Sequence, residues 1–554
     1  MSPNTHRQSA IDRLKSETFD LLVVGGGITG AGVALDATAR GLKVALIEKR
    51  DYASGTSSKS TKLIHGGLRY LKNMEIGLVR EVGKERATVH KLAPHLVRPE
   101  KMLLPLIEGG SLGKFTTSMA LWVYDFLAQV HGEDKRVMLS KNDTLEKEPL
   151  LRDDILKGGG FYAEYRTDDA RLTMENINTA RVHGALPLNY IEALDFNYND
   201  DGRIAGTNCR DKFTDQEFTI HSRHVINAAG PWVDELRKDD NSMNEKRLFW
   251  SKGVHIVLAR ERFPIKQAVY FDVADGRMLF AIPRLRSTYI GTTDTEYQGD
   301  PNNIPTHLED VQYLLDGTND LFPGINLTVD DVESNWAGIR PLIYEEGKSA
   351  SEMSRKDEIF ESKSGLLSIA GGKLTGYRKM AERILDRLSR QREALDMEPL
   401  PKSSTKEIPL HGGPFQDFEE VLAYEKVVEK LLEKASLCPG RADYLVANYG
   451  RQAEQIVQAA ENRSEGTDVA RLAAAEAAWC IAQEQALFPL DFLNRRSGRL
   501  YFDLPSIAPV LDEVLAVFAK EYNYTDAEIA SEKLLIAEEL RSAYTFESRE
   551  AIVG

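Results

Sequence analysis

The stretch Phe19–Gly32 reads FDLLVVGGGITGAG, and its order of apolar residues and glycines decides the architecture of the N-terminal half of the chain. Apolar side chains crowd Phe19–Val24 without polar alternation, the pattern of a strand buried on both faces of a parallel sheet. A helix is predicted to follow to about Arg40, stopped by Gly41 where a left-handed residue is wanted. KVALIEK then supplies a second buried strand ending at Glu48, which completes a βαβ unit. Between first strand and helix, GGGITG fits the spacing GxGxxG with Gly25, Gly27 and Gly30. The first glycine permits the tight turn, the second lets backbone approach a pyrophosphate, and the third lets helix pack on strand. The helix N-terminus offers unpaired N–H groups and a partial positive charge to phosphates, and Glu48 is placed to accept from a ribose diol. The unit is therefore read as a dinucleotide site, and the fingerprint by itself does not separate NAD from FAD.

Working outward, a second strand–glycine–helix pattern occurs far along the chain, in GLLSIAGGKLTGYRKMAERILDRL. One pyrophosphate occupies one helix N-terminus, so a second positive end implies another electron-rich target. The pyrimidine edge of a flavin, anionic on reduction, suits it, with Lys373 adding charge. A plain loop before an amphipathic helix is the alternative reading, and FAD is favoured over NAD on these residues. Between the two units, Tyr190–Ala229 carries strand-like runs around a turn signal at Asp201-Gly202, and β-branched and aromatic runs over Val254–Gly291 suggest a larger antiparallel sheet. Pro401–Pro414 has the composition of a linker, and beyond it helical spacing of Ala, Leu and Glu indicates a separate helical domain.

A chain of 554 residues has room for two or three domains, and 28% charged residues with 42% hydrophobic ones is the balance of a soluble globular protein. A formal net charge of −15 argues against a nucleic-acid partner, so an anionic substrate must be drawn by a local cluster of Arg and Lys. Cys209, Cys438 and Cys480 form no CxxC pair, which disfavours disulfide frameworks, zinc ribbons and iron–sulfur cages and fits a reducing compartment with no metal centre. The N-terminal residues lack an apolar core of the signal-peptide kind, and no run of about 18 apolar residues is present to span a bilayer.

Thr56–Leu71, TSSKSTKLIHGGLRYL, is rich in hydroxyls and cations in an acidic chain. Together with Glu48, DDARL (Asp168–Leu172), INAAGPWVD (Ile226–Asp234), GTTDTEY (Gly291–Tyr297), AGIRPL (Ala337–Leu342) and GGKLTGYRKMAE, it resembles the FAD-dependent, quinone-linked glycerol-3-phosphate dehydrogenases. The resemblance runs in order from about Phe19 to Arg387, and the tail after Pro401 resembles that family's C-terminal domain. It implies an α/β multidomain fold: a Rossmann-like FAD-binding domain on a parallel sheet (17–75, 168–235 and 360–395), an antiparallel substrate or cap domain (76–167 and 236–359), and a helical domain (400–554). It also implies transfer of a hydride from C2 of sn-glycerol 3-phosphate to FAD, release of dihydroxyacetone phosphate, and passage of the electrons to a membrane quinone.

The cofactor residues implied are Gly25, Gly27, Gly30 and Glu48 at the first corner, and Thr56, Ser57, Ser58, Lys62, Leu63, Gly66 and Gly67 in the hydroxyl-rich stretch. Ala229, Gly230, Trp232 and Gly338 follow, with Gly372, Lys373, Leu374 and Thr375 at the second corner. His65 is the expected general base, because oxidising an alcohol requires removal of its O–H proton and imidazole titrates near working pH. Arg340 and Arg355 are expected at the substrate, with Arg69, Tyr70 and Lys373 near them, since a phosphate near the dianion needs a bidentate cation. Arg340 and Lys373 are counted with His65 as catalytic, and which arginine holds the phosphate is left open. Thr292, Thr293 and Asp294 read as a structural turn with no assigned chemistry.

Lys114–Val130, KFTTSMALWVYDFLAQV, is apolar on nearly every side and too short to cross a bilayer. It suits an interfacial helix with Trp122 and Tyr124 at headgroup depth, or a buried core helix or dimer contact. These readings give a flavoenzyme at the cytoplasmic face of the membrane, with a homodimer compatible with them. The rivals are a glycerophosphate oxidase using oxygen, whose inserted middle segment finds no obvious room here, an amine or amino-acid oxidase, and a flavin-binding scaffold or RNA-modification subunit without turnover.

Overall fold

The computed structural model describes residues 3–65, 76–110, 136–347, 353 and 356–548. Five parallel strands form the floor of the nucleotide-binding unit, in the order Leu367–Gly371, Gln216–Asn227, Thr18–Val24, Val44–Glu48 and Leu186–Asn189. Val23 and Val24 sit beside Ile226 and Asn227 on one side and Leu46 and Ile47 on the other, so the run Leu21–Val23 is wholly buried. That burial on both faces is why the strand lacks polar alternation. Helices Ile28–Ala39, Asp169–Val182 and Tyr377–Glu393 cover one face, burying Val33, Ile177, Ile384 and Leu388. A hairpin arm, Ile191–Tyr198 with Ile204–Asp211, runs from this sheet and turns at Gly202, whose φ is +72°.

Among the described residues, the second sheet has ten strands and is antiparallel except where Ala268–Asp272 runs beside Arg98–Ile107. Its longest pair is Leu248–Ala259 with Val332–Ile343, in a register that sets Ser251 opposite Arg340 and Gly253 opposite Gly338. The C-terminal helices, among them Phe418–Lys434, Asp468–Glu484 and Leu511–Tyr522, enclose a core of their own around Val428, Leu472, Ala477, Leu515 and Phe518.

These elements add to the reading of the sequence in four places. Order begins before Phe19: helix Pro3–Ser16 docks through buried Ile11 and Leu14, and Arg7 donates to Asp211 at 2.6 Å and to the Asn189 carbonyl at 2.9 Å. Two apolar anchors among fourteen residues give little periodicity, so the helix was not legible. Leu63–Ile64, assigned to the first unit, pairs with Leu156–Arg166 in the second sheet. Conversely, Val89 and Leu92 of helix Ile76–Leu92, assigned to the cap, join the first core, and strand Asp357–Glu361 straddles the proposed 359/360 boundary yet edges the first sheet. Pro401–Pro414 is no loose linker: Leu410 is buried with its N–H on the Leu92 carbonyl at 3.0 Å, and Gly412 N–H reaches Glu175 at 2.5 Å. Composition identifies elements and turns, whereas these assignments depend on partners far away in sequence.

Candidate functional site

The cleft between the two sheets holds a cavity of about 310 Å³. At its first corner Gly25 adopts φ +114°, and a Cβ there would lie 2.5 Å from the Ala228 carbonyl oxygen. A Cβ on Gly30 would overlap the Gly25 carbonyl oxygen, so only hydrogen lets the helix Ile28–Ala39 start this close to its strand. A Cβ on Gly27 would stand 3.1 Å from Ser57 Oγ and fill the cradle in front of the helix. Glu48 lines the cleft and accepts from Gly26 N–H at 2.7 Å and Arg50 N–H at 3.0 Å. Burial holds its carboxyl above the usual range, although those backbone bonds oppose the shift. It therefore organises the glycine turn from within the cleft.

The turn Thr56–Ser58 lies across this corner. Ser57 Oγ accepts from Ile28 N–H at 2.9 Å, leaving its own proton for an acceptor in the cleft. The Thr56 hydroxyl donates to the Ile339 carbonyl at 2.6 Å, so its proton is already committed. Ser58 and Gly30 lie behind the lining, and so does Lys62. The Lys62 ammonium is buried, 2.5 Å from Asp169 and 2.9 Å from the Ser58 carbonyl, beneath the rings of Trp336, Tyr501 and Phe502. Its side chain is thus held away from the cleft, whereas neighbouring Leu63 lines it. Ala229, Gly230 and Trp232 border the cavity farther along, and the Lys49 ammonium stands 4.3 Å from the Trp232 ring.

At the second corner Gly371 and Gly372 have φ of +78° and +80°, and Lys373, Leu374 and Thr375 line the cleft ahead of helix Tyr377–Glu393. Thr375 Oγ1 donates to the His65 carbonyl at 3.2 Å, which ties the histidine to this corner. His65 lines the cavity, with its ring edge-on to Phe280 at 6.1 Å.

Arg340 enters from the second sheet. Its guanidinium donates to Thr292 Oγ1 at 2.8 Å and the Thr293 carbonyl at 3.2 Å, and lies 3.4 Å from both Asp294 and Ser251 Oγ. A Cβ on Gly253 would overlap the guanidinium, so that glycine is the notch in which Arg340 rests. Ser251 donates to Asp294, and Thr293 Oγ1 accepts from Val254 N–H at 2.9 Å. Thr292–Asp294, read from sequence as a turn without chemistry, therefore forms the seat of Arg340; only the proximity of two quoted motifs across the sheet could have revealed it. Two further residues went unnoticed. His255 stacks on Trp336 at 4.8 Å with Nε2 3.0 Å from Thr61 Oγ1, and burial, aided by Arg340 and Lys62, holds its imidazole well below the ordinary range. Lys59 lines the cleft with its amine pushed down to about 8 by burial and by the nearby Arg50 and Arg495 charges. Gly66, Gly67, Arg69, Tyr70, Arg355 and segment 114–130 lie outside the described residues.

A glycine cradle at a helix N-terminus, a buried acid beside it and a second positive helix end across the same cavity are the donor set a flavin dinucleotide requires. The family model described as FAD dependent oxidoreductase matches residues 20–378, and that described as C-terminal domain of alpha-glycerophosphate oxidase matches 403–529. The chain belongs to the FAD dependent oxidoreductase family. FAD is its cofactor. It is 47% identical over 528 residues to the aerobic glycerol-3-phosphate dehydrogenase of Staphylococcus haemolyticus, covering 94% of each chain. It is 45% identical to that of Staphylococcus aureus strain MRSA252, covering 100% of this chain and 98% of the relative. The crystal structure of the Bacillus halodurans glycerol-3-phosphate dehydrogenase, complexed with FAD, superposes with a TM-score of 0.83 at 41% identity, covering 98% of both chains.

Proposed function

We propose that the protein oxidises glycerol 3-phosphate to dihydroxyacetone phosphate and delivers the electrons to a membrane quinone. The observation that carries this reading is the convergence on one cleft of His65, a seated Arg340 and two glycine corners, in a chain aligned end to end with glycerol-3-phosphate dehydrogenases. Bound FAD supplies the acceptor for the two electrons leaving C2. Gly25, Gly27, Glu48, Ser57, the Ala229–Trp232 turn, Gly338 and Gly372–Thr375 are the residues that would hold the dinucleotide. His65 takes the C2 hydroxyl proton, a role that fits its position beside the second corner. Arg340, fixed by Thr292 and Thr293, carries charge-assisted donors for the phosphate or the C2 oxygen, and Lys373 adds a cation.

Among the described residues no helix is long and apolar enough to cross a membrane. A peripheral attachment at the cytoplasmic face, through 114–130, then brings the enzyme to its quinone, and a homodimer is compatible with that arrangement. The name of the C-terminal family model keeps oxygen as the rival acceptor. Steady-state turnover of glycerol 3-phosphate with a soluble quinone analogue, with hydrogen peroxide measured in parallel, separates the two. Quinone-dependent product with negligible peroxide is expected; peroxide matching product without quinone would establish an oxidase.

A further inference from the structure

One short segment of the C-terminal domain, 485–502, reaches both sheets of the catalytic unit. On the first it meets the loop that follows Glu48. The Asp51 carboxylate is fully buried and accepts from Arg495 Nε at 2.5 Å and from the two terminal nitrogens of Arg496 at 2.8 Å each. Tyr52, beside it, donates its phenol to Gln485 Oε1 at 2.6 Å. On the second sheet the Tyr501 carbonyl accepts from Ser334 Oγ at 2.5 Å, on the strand that bears Arg340, and Tyr501 and Phe502 pack against Trp336.

The loop is itself the outer wall of the glycine corner. A Cβ on Gly26 would fall 2.7 Å from both the Tyr52 ring and the Glu48 side chain, so loop, acid and glycine turn are in van der Waals contact. Ala53 N–H donates to the Gly26 carbonyl at 3.0 Å, while Gly26 N–H donates to Glu48 at 2.7 Å. A shift of Asp51 or Tyr52 is thereby passed to Glu48 and Gly26, the groups facing the ribose and pyrophosphate positions. The ion network pairs its charges internally, with Glu484 held by Arg171 at 2.7 Å and Asp491 by Arg495 at 2.7 Å, so it is a joint and not a ligand site.

We propose that Gln485 and Arg496 are positioning residues for FAD: through Asp51 and Tyr52 the C-terminal domain holds the dinucleotide corner in its binding geometry, and the domain thereby sets flavin retention.

The test is the FAD dissociation constant of deflavinated protein, titrated by flavin fluorescence, for Gln485→Met and Arg496→Met, with Leu515→Ala as control. Leu515 is buried in the C-terminal core and, being apolar, takes no part in the hydrogen bonds and ion pairs of the joint. Gln485→Met removes the Tyr52 bond and the bond from Gln485 Nε2 to the Pro187 carbonyl at 3.2 Å, and Arg496→Met removes a charged donor; each should weaken FAD binding about tenfold or more. Arg496→Lys should recover part of the loss. Leu515→Ala should lower the melting temperature with FAD affinity unchanged. Reconstituted Gln485→Met, saturated with FAD, should keep the wild-type KM for glycerol 3-phosphate. If Arg496→Met does not fold, Gln485→Met decides alone. FAD affinity within about twofold of wild type in Gln485→Met, or an equal loss in Leu515→Ala, overturns the proposal.

Discussion

The two strand-to-helix corners of the cleft look alike in sequence and do different work. At the first, glycines remove side chains so that backbone can approach: Gly30 sits under the Gly25 carbonyl, and Gly27 leaves the helix end open beside Ser57. At the second, Gly371 and Gly372 supply left-handed turns that present side chains, Lys373 and Thr375, and Thr375 reaches the His65 backbone. One corner opens backbone to the cleft; the other presents side chains to it. A glycine motif alone does not distinguish them, and what surrounds each glycine does.

The comparison breaks hardest at Gly30. Gly30→Ala forces a Cβ onto the Gly25 carbonyl oxygen, a backbone clash costing upwards of about 3 kcal/mol, so the purified variant should be colourless and take up no FAD in equilibrium dialysis. His65→Ala, beside the second corner, should remain yellow while its rate of anaerobic flavin reduction falls roughly 10²–10⁴-fold in stopped flow. Normal reduction would assign the base to another residue. Arg340→Ala should lower kcat/KM by about 10–100-fold, and Arg340→Lys should not restore it, because Thr292 and Thr293 are set for a planar fork. The smallest effect sharpens the contrast by striking both corners together. His224 lies on Gln216–Asn227, the strand between the two corner strands, and burial with neighbouring Arg392 and Arg203 lowers its pKa to about 4. A histidine depressed in the folded state must gain a proton on unfolding, so stability is full above about pH 6.5 and falls as the pH drops towards 4. Chemical denaturation should show about 2 kcal/mol less stability at pH 5 than at pH 7 from this group, and His224→Leu should remove that share.

The first corner was legible because its strand, turn and helix are contiguous and each glycine answers a local steric demand. The hairpin at Gly202 and the C-terminal helices were legible for the same reason. The seat of Arg340 was not, because Ser251, Gly253 and Thr292–Asp294 meet it only through the register of a sheet. The Lys62 side chain was not legible for a related reason: its neighbours line the cleft, yet it turns back to Asp169, more than a hundred residues away. The joint at Asp51 joins residues over four hundred positions apart, beyond the reach of any periodicity.

The most direct measurement is anaerobic mixing of the yellow holoprotein with glycerol 3-phosphate in a stopped-flow spectrometer. The account predicts rapid loss of the visible flavin band with one dihydroxyacetone phosphate formed per flavin bleached. A band that persists with glycerol 3-phosphate and bleaches instead with an amine or amino acid would contradict it.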